Sequence, residues 1–418
     1  MSVLTPHAAV WVFLPFAGAY FLSALLRAVT ATLAPTLSAA FTLSAGDLGL
    51  LSGGYFFGFA VTQLPLGRWL DRYGPRNTLL AFLGVAIGGC MVFASADSFT
   101  GLLMGRVLFG AGVSACLMAP LTGYRRWYTP AAQLRANSWM LMTGSLGMVA
   151  STLPVQWLLP QLGWRGLFWL IAGLVFLSGV WIARSVPAWP VPADSADAHG
   201  TGTGTGTSAA NPGYASILRH PYFLRIAPIG FFTYGGMVTM QTLWAGPWMQ
   251  DVAGYTALQA ATGLFWINIS MLCAFWSWGM AGPWMARHAM DVNRVMARAL
   301  PLPLLVMLLI LLLGPRAGAW AWALYCVSCT FMALSLPAVG MAFDARVAGR
   351  ALSAFNLVIF AGVFVLQWGI GLAVDAFSAA GWSPLSAFRG ALAVYLLANL
   401  WAAWWFVRKA QGDNGSSP

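Results

Sequence analysis

GRWLDRYGPR, residues 67–76, sets one aspartate among three arginines in a chain of which only 7% is charged. On either side the chain is apolar for about 20 residues, enough for a helix to cross roughly 30 Å of hydrocarbon. The stretch therefore reads as a tight charged loop between two membrane-spanning helices. A second stretch, GPWMARHA at 282–289, begins 215 residues later and repeats the Gly, Trp, apolar and Arg positions, with Ala286 where the first copy has Asp71. A repeated loop implies a repeated unit, and the missing acid implies that the two copies are not used alike.

Outward from this loop, 60% of the 418 residues are hydrophobic, more than one water-soluble core would bury. Apolar runs recur at 11–33, 47–66, 77–95, 99–121, 134–159, 164–184, 221–245, 257–281, 294–313, 317–341, 351–375 and 385–407, which makes twelve spans. The first lacks a small-residue cleavage site and another follows at once, so a permanent helix is expected and not a signal peptide. With twelve spans both termini lie on one side. Sixteen of the 21 Lys and Arg residues fall in the connecting segments of that side, among them Arg68, Arg125, Arg126, Arg350 and Lys409. The positive-inside rule makes that side cytoplasmic. The net charge of +11 is thereby accounted for by orientation, and nucleic acid is not an expected partner.

The 215-residue offset recurs where Arg135-Ala136 and Ser138 reappear as Arg350-Ala351 and Ser353. Two six-span bundles are expected, over 1–184 and 217–418, with a solute site between them. The stretch between them, 185–216, is poor in apolar residues and contains a Thr-Gly repeat, so a flexible cytoplasmic linker is expected. All five cysteines lie inside spans, which argues against a disulfide framework. CVSC at 326–329 has the spacing of metal and redox sites, but with no second ligand pair it reads as small-residue helix packing. No metal and no cofactor are expected.

These residues resemble the major facilitator superfamily over essentially the whole chain. The family's loop between its second and third helices reads approximately G-x-L-x-D-R-x-G-R-R. Gly67, Asp71, Arg72, Gly74 and Arg76 match it, while Trp69 replaces the Leu and Pro75 a basic residue. RVLFGAG at 106–112 is similar to the family's R-x-x-x-G-x-G pattern through Arg106, Gly110 and Gly112. The resemblance implies an all-α integral membrane protein of twelve transmembrane helices in two pseudo-symmetric six-helix bundles. It also implies a gating set of Gly67, Asp71, Arg72, Gly74, Arg76 and Arg106. Physically, the eleventh span is expected to start near Arg350 and to present free N–H groups there. An acid facing them is held by about 0.3–1 kcal/mol, or up to ~2 when partly buried. Asp71 then latches the bundles on the cytoplasmic side, with Gly67 and Gly74 permitting the turns that aim it. Ala286 cannot do the same for the fifth span, so the latch is expected to be one-sided.

Within the spans, an arginine at mid-bilayer costs at least about 2.5–3.5 kcal/mol on insertion scales, so Arg27 requires a reason. Tyr20, Ser23, Arg27 and Thr30 fall on one helical face, a polar stripe suited to a cavity. In the second half, Tyr234 and Gln241 share a face, as do Asn356 and Gln367. The chain has no glutamate and no mid-span aspartate, and its histidines lie outside the membrane interior. A central arginine without a carboxylate favours an anion, or the carboxylate end of a zwitterion.

The expected function is secondary transport of a small organic anion or amino-acid-like zwitterion, with binding residues Arg27, Tyr20, Tyr234, Gln241, Asn356 and Gln367. The expected partners are the small-molecule substrate, the lipid bilayer and a coupling ion or counter-substrate, and a monomer is expected. A proton-coupled drug efflux pump is the alternative carrier, although cationic drugs would call for a buried acid. A membrane-bound enzyme or sensor is the alternative of another class, and no nucleophile-base pair, metal cluster or phosphate loop supports it. Asn268-Ile269-Ser270 lies within a span and Asn414 on the basic side, which fits a multi-pass protein of the cell inner (plasma) membrane.

Overall fold

The computed structural model describes residues 4–188, 214–288 and 290–413. Among these, nine helices are each long and apolar enough to cross a bilayer, and three further passes complete twelve. The run Ala45–Ala94 is two helices, α2 (45–73) and α3 (75–94), because Gly74 at φ 74° turns the chain back. Gly163 at φ 63° likewise parts α6 (164–185) from α5 (130–162), and α5 itself is interrupted after the segment Pro130–Ala150. The seventh pass, α7 (221–252), contains three π segments, Gly230–Tyr234, Met240–Trp244 and Trp248–Val252. The remaining passes are α1 (Pro6–Phe41), α4 (99–127), α8 (Ala257–Arg287), α9 (292–313), α10 (319–342), α11 (Ala345–Ala379) and α12 (Pro384–Asp413). The fold is an all-α membrane protein, two six-helix bundles side by side.

Helix starts follow local chemistry. Thr5 caps α1 and Thr129 caps α5 through their hydroxyls, each followed by a proline in the first turn. Ser44 and Asp47 close α2 with a reciprocal capping box. One expected boundary is corrected: α11 begins at Ala345 and not near Arg350, because extended Asp344 accepts the first turn's bonds from Val347 and Ala348. Most of the expected linker, 189–213, lies outside the described residues. Its last residues open a short helix, Tyr214–Leu218.

Each bundle has its own apolar core, and the cores merge at one end only. The first bundle's core takes in Phe360 and Val363 of α11, and the second's takes in Ala31, Ala34 and Leu48 of α1 and α2. At the arginine-rich end, the core around Phe223, Met296 and Phe406 draws only on residues of the second bundle. The bundles are therefore joined at the end remote from residues 67–76 and separate at the basic end.

Candidate functional site

Arg27 lies on α1, one turn toward the basic end from Ala31, whose carbonyl oxygen packs against Gly246 of α7 where the bundles meet. Its guanidinium stands 5.8 Å from the centre of the Phe59 ring on α2. The phenols of Tyr55, Tyr20 and Tyr234 lie within electrostatic range of it. Tyr234 belongs to the second bundle, so the arginine looks across the interface. Beside this group, Phe360 of α11 packs on Phe59 at 4.7 Å and on Phe56 at 5.9 Å between ring centres. These rings seal the joined end. Arg27 Nε is buried and has no hydrogen-bond partner. Among the described residues the ion pairs are Arg165–Asp97 and Arg294–Asp291, both exposed and remote from it.

Tyr20 and Tyr234 are thus brought together with Arg27, and Tyr55 and Phe59 join them without having been singled out from the sequence. Both sit in GYFFGF, 54–59, where aromatics in an apolar run look like ordinary core. Ser23, on the same predicted stripe, turns inward and donates to the Val113 carbonyl at 3.5 Å.

The other predicted partners are held elsewhere. Gln241 donates to Asn268 of α8 at 2.8 Å. Gln367 is fully buried and donates to Thr242 at 2.9 Å, with its own Oε1 unpartnered. Asn356 is half-buried on α11. A hydroxyl and amide cluster lies deeper in the second bundle. Tyr395 and Asn399 both donate to the Phe232 carbonyl, at 3.1 and 3.2 Å, and Tyr325 meets Tyr395 at 2.6 Å. Phe232 lies in a π segment, where the bonding is shifted from i→i+4 to i→i+5, and these side chains supply extra donors to its carbonyl.

Arg106 is placed apart from the charged loop. It is buried within the first bundle, where Nε donates to Leu51 O at 3.2 Å and the two terminal nitrogens to Leu26 O at 3.0 Å and Ser52 O at 3.5 Å. The Tyr55 and Phe109 rings flank it at 5.7 and 5.2 Å. It ties α4 to α1 and α2.

In the charged loop, Asp71 and Arg72 are exposed, and Arg72 lies over the Tyr73 ring. Arg76 donates to the Ala183 carbonyl in the last turn of α6, a cation at the negative end of a helix. Gly74 supplies the left-handed turn, as its place in the motif requires. Gly67 does not: it continues the helix, with open space where a Cβ would stand.

An acid does lock α2 to α11, but at the joined end. Asp375, near the end of α11, accepts from the backbone N–H groups of Ala45 at 3.0 Å and Gly46 at 2.7 Å, at the start of α2. The helices touch backbone to backbone beside it. A Cβ on Gly49 would fall 2.3 Å from the Gln367 carbonyl oxygen.

The chain matches the Major Facilitator Superfamily over residues 16–367. It is similar to the inner membrane transport protein YajR of Escherichia coli (strain K12), 31% identical over 151 residues, which cover 35% of this chain and 31% of that protein. It is also similar to the nitrate/nitrite transporter NrtP of Picosynechococcus sp. (strain ATCC 27264 / PCC 7002 / PR-6), 32% identical over 115 residues, 27% of this chain and 21% of that protein. The aligned stretches thus span less than a third of either relative. Among solved structures, a bacterial homolog to the human lysosomal transporter Spinster, inward-facing and occupied, superimposes with a TM-score of 0.75 at 16% identity, covering 98% of both chains.

Proposed function

This chain belongs to the major facilitator superfamily, and on that premise we propose that it is a secondary transporter moving a small organic anion or amino-acid-like zwitterion by alternating access. The observation that carries this reading is Arg27, a guanidinium on the interface between the bundles with a buried, unpartnered Nε and, among the described residues, no carboxylate near it. A planar cation with five donors matches a carboxylate or nitrate in shape as well as charge. The Tyr20 and Tyr234 hydroxyls supply neutral donors beside it, while Tyr55 donates its proton to the Ser23 carbonyl at 3.3 Å. NrtP, one of the relatives, is named for two small inorganic anions, which supports an anionic substrate.

Transport then proceeds by rocking. The present arrangement is closed at the Asp375 end, and the positive-inside rule assigns the separate, basic end to the cytoplasm of an inner membrane, with both termini there. In the opposite state Phe360 parts from Phe56 and Phe59, and the cytoplasmic ends meet. The start of α11 has no side-chain cap, leaving N–H groups for Asp71, whereas Thr129 already caps α5. That difference supports a one-sided cytoplasmic latch and explains why Ala286 suffices in the second copy. No aspartate or glutamate lies mid-span, which favours exchange or facilitated passage, neither of which needs a proton carrier there.

The test is a thermal-shift screen of the purified chain against nitrate, sugar-acid carboxylates, amino acids and lipophilic cations. Anions are expected to raise the melting temperature, and Arg27→Gln to abolish that rise. Stabilisation by cations alone, unchanged in Arg27→Gln, would support drug efflux instead.

A further inference from the structure

A groove of about 550 Å³ opens on the outer surface of the second bundle, between α9 and α12, far from the Arg27 site. Ala297, Pro301 and Leu304 form one wall, and Leu400 and Trp404 the other, with Arg408 at its mouth. Neighbouring Leu305 and Leu397 are 62% and 65% exposed. In a membrane protein such a surface faces hydrocarbon, so the groove opens sideways into lipid.

Its depth and its charge fix the level at which it sits. Eight residues from Leu400 to Arg408 rise about 12 Å along a helix, close to one leaflet of a hydrocarbon core roughly 30 Å thick. At the mouth, Arg408 stands 5.0 Å from the centre of the Trp404 ring and Lys409 4.9 Å from that of Trp405. Tryptophans paired with cations belong at the headgroup level of a bilayer. Arg294 lies on the groove face of α9, one turn beyond Ala297, and is neutralised by Asp291 at 3.5 Å. Arg298 and Arg408 are exposed and have no acidic partner among the described residues. The groove thus offers an apolar channel one leaflet deep, ending in unneutralised cations at the phosphate level.

We propose that this groove is a binding site for an anionic phospholipid of the basic-side leaflet, with one acyl chain between α9 and α12 and the phosphate on Arg408. A zwitterionic lipid fills the same channel but brings its own cation to the arginine. Preference for the anionic headgroup is therefore the property that the geometry requires.

Native mass spectrometry of the full chain, equilibrated with equal amounts of phosphatidylglycerol and phosphatidylcholine of identical acyl chains, tests it. The expected result is retention of phosphatidylglycerol with about fivefold preference, the weight of one basic residue at an anionic surface. Arg408→Gln should remove most of that preference. Ala297→Trp, which fills the channel, should reduce retention of both lipids. Arg165→Gln, at the opposite end, should change nothing. Equal retention of the two lipids by the native chain would overturn the proposal. So would a preference that survives Arg408→Gln, or one lost equally in Arg165→Gln. Displacement of the lipid by soluble glycerol phosphate would also overturn it, because the site would then recognise a free anion and not a lipid.

Discussion

Arg106 and Arg27 are the same side chain in two settings, one inside the first bundle and one on the face between the bundles. Arg106 spends its donors on three carbonyls from two neighbouring helices and lies between two aromatic rings. Arg27 is surrounded by phenols and leaves a buried nitrogen without a partner. Arg106, inside its bundle, is satisfied by its own protein and acts as a tie. On the interface, under the proposed function, Arg27 is left for a substrate that comes and goes. Asp375 likewise joins the two bundles, through N–H groups that belong to the other half, a contact that the proposed rocking would break.

The comparison predicts that changes inside a bundle unfold the protein, while changes on the interface move its open-closed balance. The largest effect is expected for Arg106→Gln. Three interhelical bonds at about 0.6–1.7 kcal/mol each give a loss of about 2–5 kcal/mol, read as a lower melting temperature with or without substrate. A melting temperature unchanged from the native chain would erase the distinction.

Gly49→Ala comes next. Its methyl group would meet the Gln367 backbone, and overpacking of this kind costs about 1–3 kcal/mol. Because the strain is relieved by parting α2 from α11, the joined end should open. The distance between spin labels on Thr42→Cys and Ala380→Cys is then expected to lengthen while the melting temperature holds. A fall in melting temperature at constant distance would place this contact with the interior class. Asp375→Asn acts on the same distance more weakly, through about 0.3–2 kcal/mol of charge-dipole attraction. Asp71→Asn is expected to act in the opposite sense, shortening the mean of this distance and raising cysteine labelling at the basic ends of α2 and α11. The smallest effect is expected for trimming the Thr-Gly repeat by several residues. Loop closure changes by tenths of a kcal/mol for such a cut, so transport should persist, and its loss at normal expression would indicate a binding role for the segment.

Hydropathy and charge placement made the twelve passes legible, because each needs only a continuous apolar run. The π segments of α7 were not legible: GFFTYGGMVTMQTLWAGPWMQ is dense in glycine, but a shift from i→i+4 to i→i+5 bonding leaves no periodic signature short enough to read. The start of α11 could have been found, since Asp344 before AR is an N-cap signal, and the repeat at Arg350 drew attention away from it. Arg27 stood out by its cost in the bilayer. Tyr55 and Phe59 did not, because aromatic residues in a span have no cost to explain. Asp375 was readable as an outer-end acid, but its partners lie 330 and 329 residues away, a pairing that only the packed bundles create.

The most direct measurement concerns Arg27. It compares equilibrium binding of an anion identified in the screen, and of its uncharged amide, to the native chain and to Arg27→Gln, with melting temperatures taken on the same samples. The anion is expected to lose roughly 10- to 150-fold in affinity, the loss of one charge-assisted bond of about 1.5–3 kcal/mol. The amide should bind as before, and the melting temperature of the unliganded protein should stay within a degree or so of the native value. Loss of both ligands in proportion to a fall in melting temperature would contradict it, and would make Arg27 a structural tie like Arg106.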